Sequence, residues 1–144
     1  MVMSQEFETQ LAFASQRLVT QSPFFSPEFN TAIIDGPVRI YFADRFETEA
    51  LQIYFRLQEV LQEDGIQLSH IPHDDQNVFI MLYSGPEAFP KAMRPSASTT
   101  QQWHTRRFGN HDVIGIDIQK LNTEGAGFRE DLCQKVKLQF CRNV

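Results

Sequence analysis

The sequence predicts a single α+β domain, in which helices pack on a mostly antiparallel, twisted sheet built from hairpins. The first observation behind this prediction is that β-branched and aromatic runs occur in neighbouring pairs, with turn-forming residues between them. The second is that apolar residues recur at helical spacing in other segments. The 144 residues contain no internal repeat and no linker long enough to divide them, so residues 1–144 are expected to form one unit.

The amino-terminal segment, residues 1–20, is predicted to form an amphipathic helix. Ser4 is a plausible N-cap, because its side chain can accept a hydrogen bond from a backbone amide of the first turn. Apolar residues then recur at spacings of three and four, as one face of a helix requires. These positions are Phe7, Leu11, Ala14 and Leu18.

An aromatic segment follows, with Phe24 and Phe25 after Pro23 and with Phe29 shortly beyond. A loop that is this rich in aromatic side chains is expected to fold back onto the core. The alternative is an exposed patch for a partner, since large apolar patches on monomers usually mark interaction sites. Phe24 and Phe25 are therefore candidate binding residues.

The next three predicted elements are a hairpin, a helix and a second hairpin. Asp-Gly between the runs 31–35 and 38–43 indicates the first hairpin. Residues 46–64 have a broad apolar helical face, with Asp44 as a candidate cap and Gly65 after the helix. Residues 66–71 alternate and residues 78–83 are continuously apolar, which predicts a second hairpin closed by the polar turn between them.

The remaining chain is predicted to hold a short helical segment at 85–93, a mobile loop at 94–100, a third hairpin and a final element. The third hairpin joins residues 101–108 to residues 113–120. Phe128, Leu132, Val136 and Phe140 favour a helix for the final element, although residues 135–140 also alternate as a strand does.

Composition excludes several classes of protein. No apolar stretch approaches the roughly 20 residues needed to cross a bilayer, so no membrane partner is expected. Cys133 and Cys141 are too few for a disulfide framework. Reduced thiols and the absence of a leader-like amino terminus predict a cytoplasmic protein. No motif indicates a cofactor.

Charge is distributed unevenly along the chain. Residues 1–90 hold four basic against thirteen acidic side chains, whereas residues 91–144 hold nine basic against five acidic. Such an asymmetry can indicate an anionic partner. The alternative is that the two parts neutralise each other in the folded protein.

An aromatic and basic segment lies in the first strand of the third hairpin. It contains Trp103, His104, Arg106 and Arg107. On a strand, alternate residues face opposite sides, so each face would offer an aromatic ring and a guanidinium. Such faces could bind a protein or peptide, or stack a base and hold a phosphate of RNA or a nucleotide. Cross-strand packing with solvated arginines is the alternative without a ligand.

A second candidate site is the turn that contains His70, His73, Asp74 and Asp75. Imidazole and carboxylate groups are ligands of zinc and other transition metals, so this turn could hold the metal of a hydrolase. The two histidines would point to opposite faces of an extended strand unless Pro72 bends the chain. An ordinary surface turn is the preferred interpretation, so no metal site is predicted.

Residues 113–118 resemble the strand that carries a metal-binding aspartate in phosphopantetheinyl transferases. The resemblance ends within a few residues, because Gln119 stands where those enzymes usually have an acidic side chain. We therefore do not transfer their activity to this chain, and Asp117 is interpreted as an ordinary strand residue.

The sequence shows no convergent set of catalytic residues, which favours a protein that is not an enzyme. The leading hypothesis is a cytoplasmic domain that binds another protein or peptide, with an acidic surface as one option. Such a domain would be an adaptor, a small chaperone or a regulator, and it could self-associate as a homodimer. The alternatives are a nucleotide or RNA binder that uses the aromatic and basic strand, and a metal-dependent hydrolase at the His/Asp turn.

Overall fold

A computed structural model of the protein describes residues 2–4, 23–71, 77–93, 103–108 and 111–141. Helices pack on an open sheet, which confirms the α+β class. The strands are β1 (Val2–Ser4), β2 (Thr31–Asp35), β3 (Val38–Phe42), β4 (Val78–Tyr83), β5 (Trp103–Phe108) and β6 (His111–Asp117). The helices are α1 (Glu47–Glu63), α2 (Ile118–Glu124) and α3 (Ala126–Cys141).

The sheet is mixed, so the prediction of a mostly antiparallel sheet is wrong. Its strand order is β1-β2-β3-β4-β6-β5. The three central strands β3, β4 and β6 run parallel to one another, while β1, β2 and β5 pair antiparallel with their neighbours. The parallel pairing arises because α1 carries the chain back to the end of the sheet where β3 began, so that Val78 pairs with Val38.

The predicted hairpin between residues 66–71 and β4 is also wrong. Leu68–His70 form a turn of 3₁₀ helix, and the amides of His70 and Ile71 bond locally to carbonyl oxygens within the segment. Leu68 is buried, whereas Gln67 and His70 are exposed, so one apolar side chain of the segment is buried without a strand ladder. Gly36, at φ 57°, packs directly against the Leu68 carbonyl, where a side chain would clash.

The first and third predicted hairpins are confirmed, as β2–β3 and β5–β6. The third differs in its bounds. His111 and Asp112, which were predicted to lie in the turn, belong to β6, and β6 ends at Asp117. The Asp117 carboxylate then accepts a hydrogen bond from the Gln119 amide at 2.9 Å and caps α2, so Asp117 is both a strand residue and a helix cap.

The helices form one layer on one face of the sheet. The predicted helix at 46–64 is confirmed as α1, and the final element is a helix, α3, whose residues Phe128, Leu132, Val136 and Phe140 are buried. Asp44 lies in a 3₁₀ turn before α1 and provides no side-chain cap. Gly65, at φ 72°, follows the end of α1 as predicted. None of the helices in the described ranges is long and apolar enough to cross a membrane.

Irregular segments cover part of the opposite face of the sheet. Strand residues that point to this face form a second core, with Ala32, Tyr41, Phe79, Met81, Tyr83 and Val113 among its members. The segments that pack on them contribute Phe24, Phe29, Phe89 and Met93. The aromatic segment near Phe24 therefore folds onto the core as predicted. The short helical segment at 85–93 consists of two 3₁₀ turns, Pro86–Ala88 and Lys91–Met93.

Two sequence predictions fall partly or wholly outside the described residues. The helix predicted for residues 1–20 is wrong at Val2–Ser4, because these residues form β1 and pair with β2. Residues 5–20 lie outside the described ranges, and so does the loop predicted at 94–100.

Candidate functional site

Strand β5 lies at one end of the sheet. It pairs with β6 on one side, and no strand of the described residues pairs with its other side. An edge strand presents backbone N–H and C=O groups that can pair with an additional chain. Among the described residues, the side of β5 that faces away from β6 is therefore a place where an extended segment can join the sheet.

Two of the predicted binding residues, His104 and Arg106, hold β5 against the segment that covers the second face. The His104 ring is buried and lies edge-to-face with Phe89, with 5.8 Å between ring centroids. Burial lowers the pKa of His104, and the positive charges of Arg106 and Lys120 lower it further. Arg106 donates a hydrogen bond from Nε to the Ala92 carbonyl at 3.3 Å.

The same guanidinium donates from Nη1 to the Thr105 carbonyl at 2.8 Å. This bond occupies one backbone acceptor of β5. Trp103 and Arg107 take their predicted places in β5, where they pair with Ile116 and Asp112 of β6. The side chains of Trp103 and Arg107 lie outside what the structure describes.

A series of ring contacts joins the two predicted binding segments. Phe25 contacts Phe29 at 5.7 Å between centroids, Phe29 contacts Tyr83 at 5.4 Å, and Tyr83 contacts Phe89 at 4.5 Å. Phe89 in turn contacts His104. Phe24 is buried beside them, and its carbonyl accepts a hydrogen bond from the Tyr83 hydroxyl. The aromatic residues near Phe24 therefore form a core that ends at β5, with Phe25 half-buried at its far end.

A groove of about 240 Å³ lies between β5, β6 and the carboxyl-terminal half of α3. It opens on the helix-bearing face, beside the edge of β5 that faces away from β6. Five of its six lining residues are polar or charged, and Ile114 is the apolar member. The lining residues are Thr105, Arg106, Asp112, Ile114, Lys135 and Gln139.

Lys135 and Asp112 bring opposite charges to this groove. Lys135 is half-buried and makes no hydrogen bond or ion pair within the described ranges, whereas Asp112 is only 9% exposed. Sequence analysis missed both residues. Lys135 and Gln139 are four residues apart and so share one face of α3, but the spacing of apolar residues does not show which strands that face meets.

The His/Asp turn is not brought together as a site in the part that the structure describes. His70 is exposed in its 3₁₀ turn, and His73, Asp74 and Asp75 lie outside the described residues. Within those residues, no group of three side chains of the His, Cys, Asp or Glu type is placed to hold a metal ion.

A buried polar cluster lies near the starts of β4 and β6. The His111 Nδ1 accepts a hydrogen bond from the Asn77 amide at 3.3 Å, and the ring lies 5.1 Å from that of Phe79. Arg39 is buried on the same ring, with its guanidinium carbon 5.9 Å from the Phe79 centroid. Burial lowers the pKa of His111 and Arg39 lowers it further, while Asp112 acts in the opposite direction.

Cys133 is a buried free thiol in the interface between α3 and α1. Its Sγ donates to the Ile53 carbonyl at 3.7 Å. Burial raises the pKa of the thiol to about 12, with a further contribution from Glu130. Because the thiolate is the nucleophile, Cys133 is a packing residue and not a reactive one.

Comparison with protein families, with curated proteins and with solved structures found no match to this chain. What the structure itself shows is an α+β domain with an open mixed sheet and a groove beside one sheet edge.

Proposed function

We propose that this protein is a non-catalytic binding domain that recognises an extended segment of another protein along the edge of β5 that faces away from β6. The observation that carries this proposal is the position of the groove, which lies beside a sheet edge and beneath α3. An edge strand next to a helix is a geometry in which peptides bind as an added strand. Adaptors, small chaperones and regulators all use such recognition.

In this mode, the backbone of the peptide supplies affinity and its side chains supply specificity. Main-chain N–H and C=O groups of the segment pair with those of β5. Alternate side chains then point to the helix-bearing face and enter the groove between β5 and α3. Thr105 is exposed on β5 and lines the groove, so it lies where such a side chain would contact the protein.

The described titratable groups support a binding role over catalysis. Cys133 is buried with a raised pKa, His104 packs on Phe89, and His111 accepts a backbone hydrogen bond. The nucleic-acid alternative receives less support, because His104 is buried and Arg106 bonds to two backbone carbonyls. The proposed compartment is the cytoplasm, in keeping with the free thiol of Cys133.

The test is selection from displayed random linear peptides of about twelve residues, a length that spans an edge strand. A selected peptide is then resynthesised with single N-methyl groups along its backbone. Because only every second N–H of an added strand faces β5, N-methylation at alternate positions is expected to weaken binding about tenfold or more. The intervening positions should tolerate it. Failure to select any peptide over the empty matrix, or equal sensitivity at all positions, would refute the proposal.

A variant pair locates the site. Thr105→Trp places a large side chain in the groove and is expected to abolish binding of the selected peptide. Thr48→Trp makes the same change at an exposed position in the first turn of α1 and should leave binding unchanged. Equal affinity of both variants would place the peptide elsewhere.

Self-association through β5 is the competing use of the same edge. Sedimentation of the protein without peptide distinguishes the two. A monomer that binds peptide agrees with the proposal. A dimer that Thr105→Trp dissociates would instead make a second copy of this chain the occupant of the edge.

A further inference from the structure

We infer that the groove between β5 and α3 selects a segment with an acidic side chain, and that Lys135 is the residue that recognises its carboxylate. This inference rests on the proposed function and specifies the chemistry of the partner. Its basis is the set of charged groups that line the groove, together with the ion pairs and hydrogen bonds that the other cationic side chains of α1 and α3 form.

Lys135 differs from the other cationic residues of this helix layer. Lys137 forms an ion pair with Asp64 at 3.0 Å, and Arg56 forms a two-pronged ion pair with Glu130. Arg129 donates to Gln52 at 3.3 Å. Lys135 has no such bond within the described ranges and borders the groove instead. Its ammonium group is therefore available to a carboxylate that enters from outside.

The placement of the charged groups in the groove favours an anion at the Lys135 side. Lys135 borders the groove from α3 and Asp112 from β6, while the Arg106 guanidinium is bonded to the Thr105 and Ala92 carbonyls. Asp112 lies in β6, the second strand from this end of the sheet, and is almost fully buried. Lys135 is more accessible, so an incoming side chain meets it on the solvent side. An added strand places alternate side chains toward α3, which is where this ammonium group lies.

The consequence is a preference that depends on one side chain. Opposite charges across an interface favour the correct partner and disfavour partners of like charge. Segments with glutamate or aspartate at the position facing α3 should bind better than the matched segments with lysine or arginine. Reversing the charge of residue 135 should reverse this preference.

The experiment repeats the peptide selection with the wild-type chain and with Lys135→Glu. Wild type is expected to enrich Asp and Glu at one position of the selected peptides, and Lys135→Glu is expected to enrich Lys and Arg there. Arg129→Glu is the matched control, because it makes the same change in charge on the same helix away from the groove. It should keep the wild-type preference, and Lys135→Arg should also keep it.

Affinity gives the second readout. For one selected acidic peptide, Lys135→Gln is expected to lose about tenfold in affinity, as removal of one charge of a close pair does. The corresponding glutamine peptide should bind wild type and Lys135→Gln equally. Lys135→Gln also replaces the charge reversal if Lys135→Glu does not fold, as judged by circular dichroism.

The outcomes separate the inference from the proposed function. Peptides that require their backbone N–H groups but show no acidic preference would overturn the inference and leave strand addition intact. The same holds if Lys135→Glu selects the same acidic peptides as wild type. If no peptide is selected by any variant, both the proposed function and the inference are overturned.

Discussion

Gly115 shows how a single residue sets the packing of the second core. It lies in β6, opposite His104 of β5, at the point where the segment ending at Met93 crosses the sheet. A Cβ at this position would lie 2.7 Å from Cγ of Met93 and 3.1 Å from Cε2 of Tyr83. The close approach of this segment to the strand therefore depends on the missing side chain.

Gly115→Ala is expected to destabilise the fold by about 1–3 kcal/mol, because an added methyl in a packed core forces its neighbours to move. Gly127→Ala is the control. Gly127 lies in α3 with open space around its Cα, so alanine should stabilise the helix by about 0.5–1 kcal/mol. Urea denaturation of the two variants and wild type measures both effects. A neutral Gly115→Ala would show that Met93 moves aside at little cost.

At the scale of the elements, charged side chains join α1 to α3. Arg56 of α1 donates to Glu130 of α3 from Nε at 2.5 Å and from Nη2 at 2.8 Å. The hydrogen bonds from Arg56, together with one from Gln134, lower the pKa of Glu130 to about 2. Only the ion pair between Asp64 and Lys137 joins an acidic residue of the first part of the chain to a basic residue of the second, since the charges of Arg56 and Glu130 run the other way.

Glu130→Gln is expected to make the free energy of unfolding depend less on pH in the acidic range. Because the pKa of Glu130 is about 2 in the folded protein and 4.5 in the reference state, its contribution is present above pH 4.5. That contribution is lost as the pH falls from 4.5 toward 2.

The measurement is the free energy of unfolding at several pH values below 5. The control is Asp131→Asn, which removes an exposed neighbouring carboxylate that makes no ion pair among the described residues. Parallel curves for wild type and Glu130→Gln would contradict the assigned pKa.

Helices α1 and α3 and two of the hairpins could be predicted because their signals are local, whereas α2 begins inside the strand predicted for residues 113–120. Apolar spacing in α1, and Asp-Gly between β2 and β3, specify structure within a few residues. Parallel pairing of Val38 with Val78 is not local, since it depends on where α1 delivers the chain. The alternation of residues 66–71 does not distinguish a strand from the 3₁₀ turn that forms there.

The candidate site could be predicted only in part, for the same reason. The composition of β5 indicated Arg106 and His104 as candidate binding residues, and the structure places both at the edge of the sheet. Lys135 and Asp112 complete the groove from two other elements. Their meeting depends on the packing of α3 over β6, which no residue spacing within either element encodes.

At the scale of the whole molecule, the sheet separates two cores, and two histidines with lowered pKa values pack in or beside the second core. His104 packs in the second core and His111 lies at its border, beside Phe79. Burial lowers the pKa of each below 6.5, and nearby cations add to the effect. Protonation of either ring opposes folding, since the unfolded chain binds these protons more tightly.

The free energy of unfolding is therefore expected to decrease as the pH falls below about 6.5, well before the carboxylates titrate. His111→Asn keeps an acceptor near the Asn77 amide and removes the proton-binding site, so it should weaken this dependence. His70→Asn makes the same substitution at an exposed histidine and should not change it. Thermal unfolding between pH 5 and pH 8 measures the effect. A wild-type curve without a slope in this range would argue against lowered pKa values for these two rings.

The buried thiol of Cys133 has a practical consequence. Since it lies between α3 and α1, a thiol reagent can reach it only after these helices separate. In a Cys141→Ser background, its rate of modification would measure how often the helix layer opens. A slower rate in the presence of a bound peptide would then show how much peptide binding at the sheet edge reduces local opening of the interface between α3 and α1.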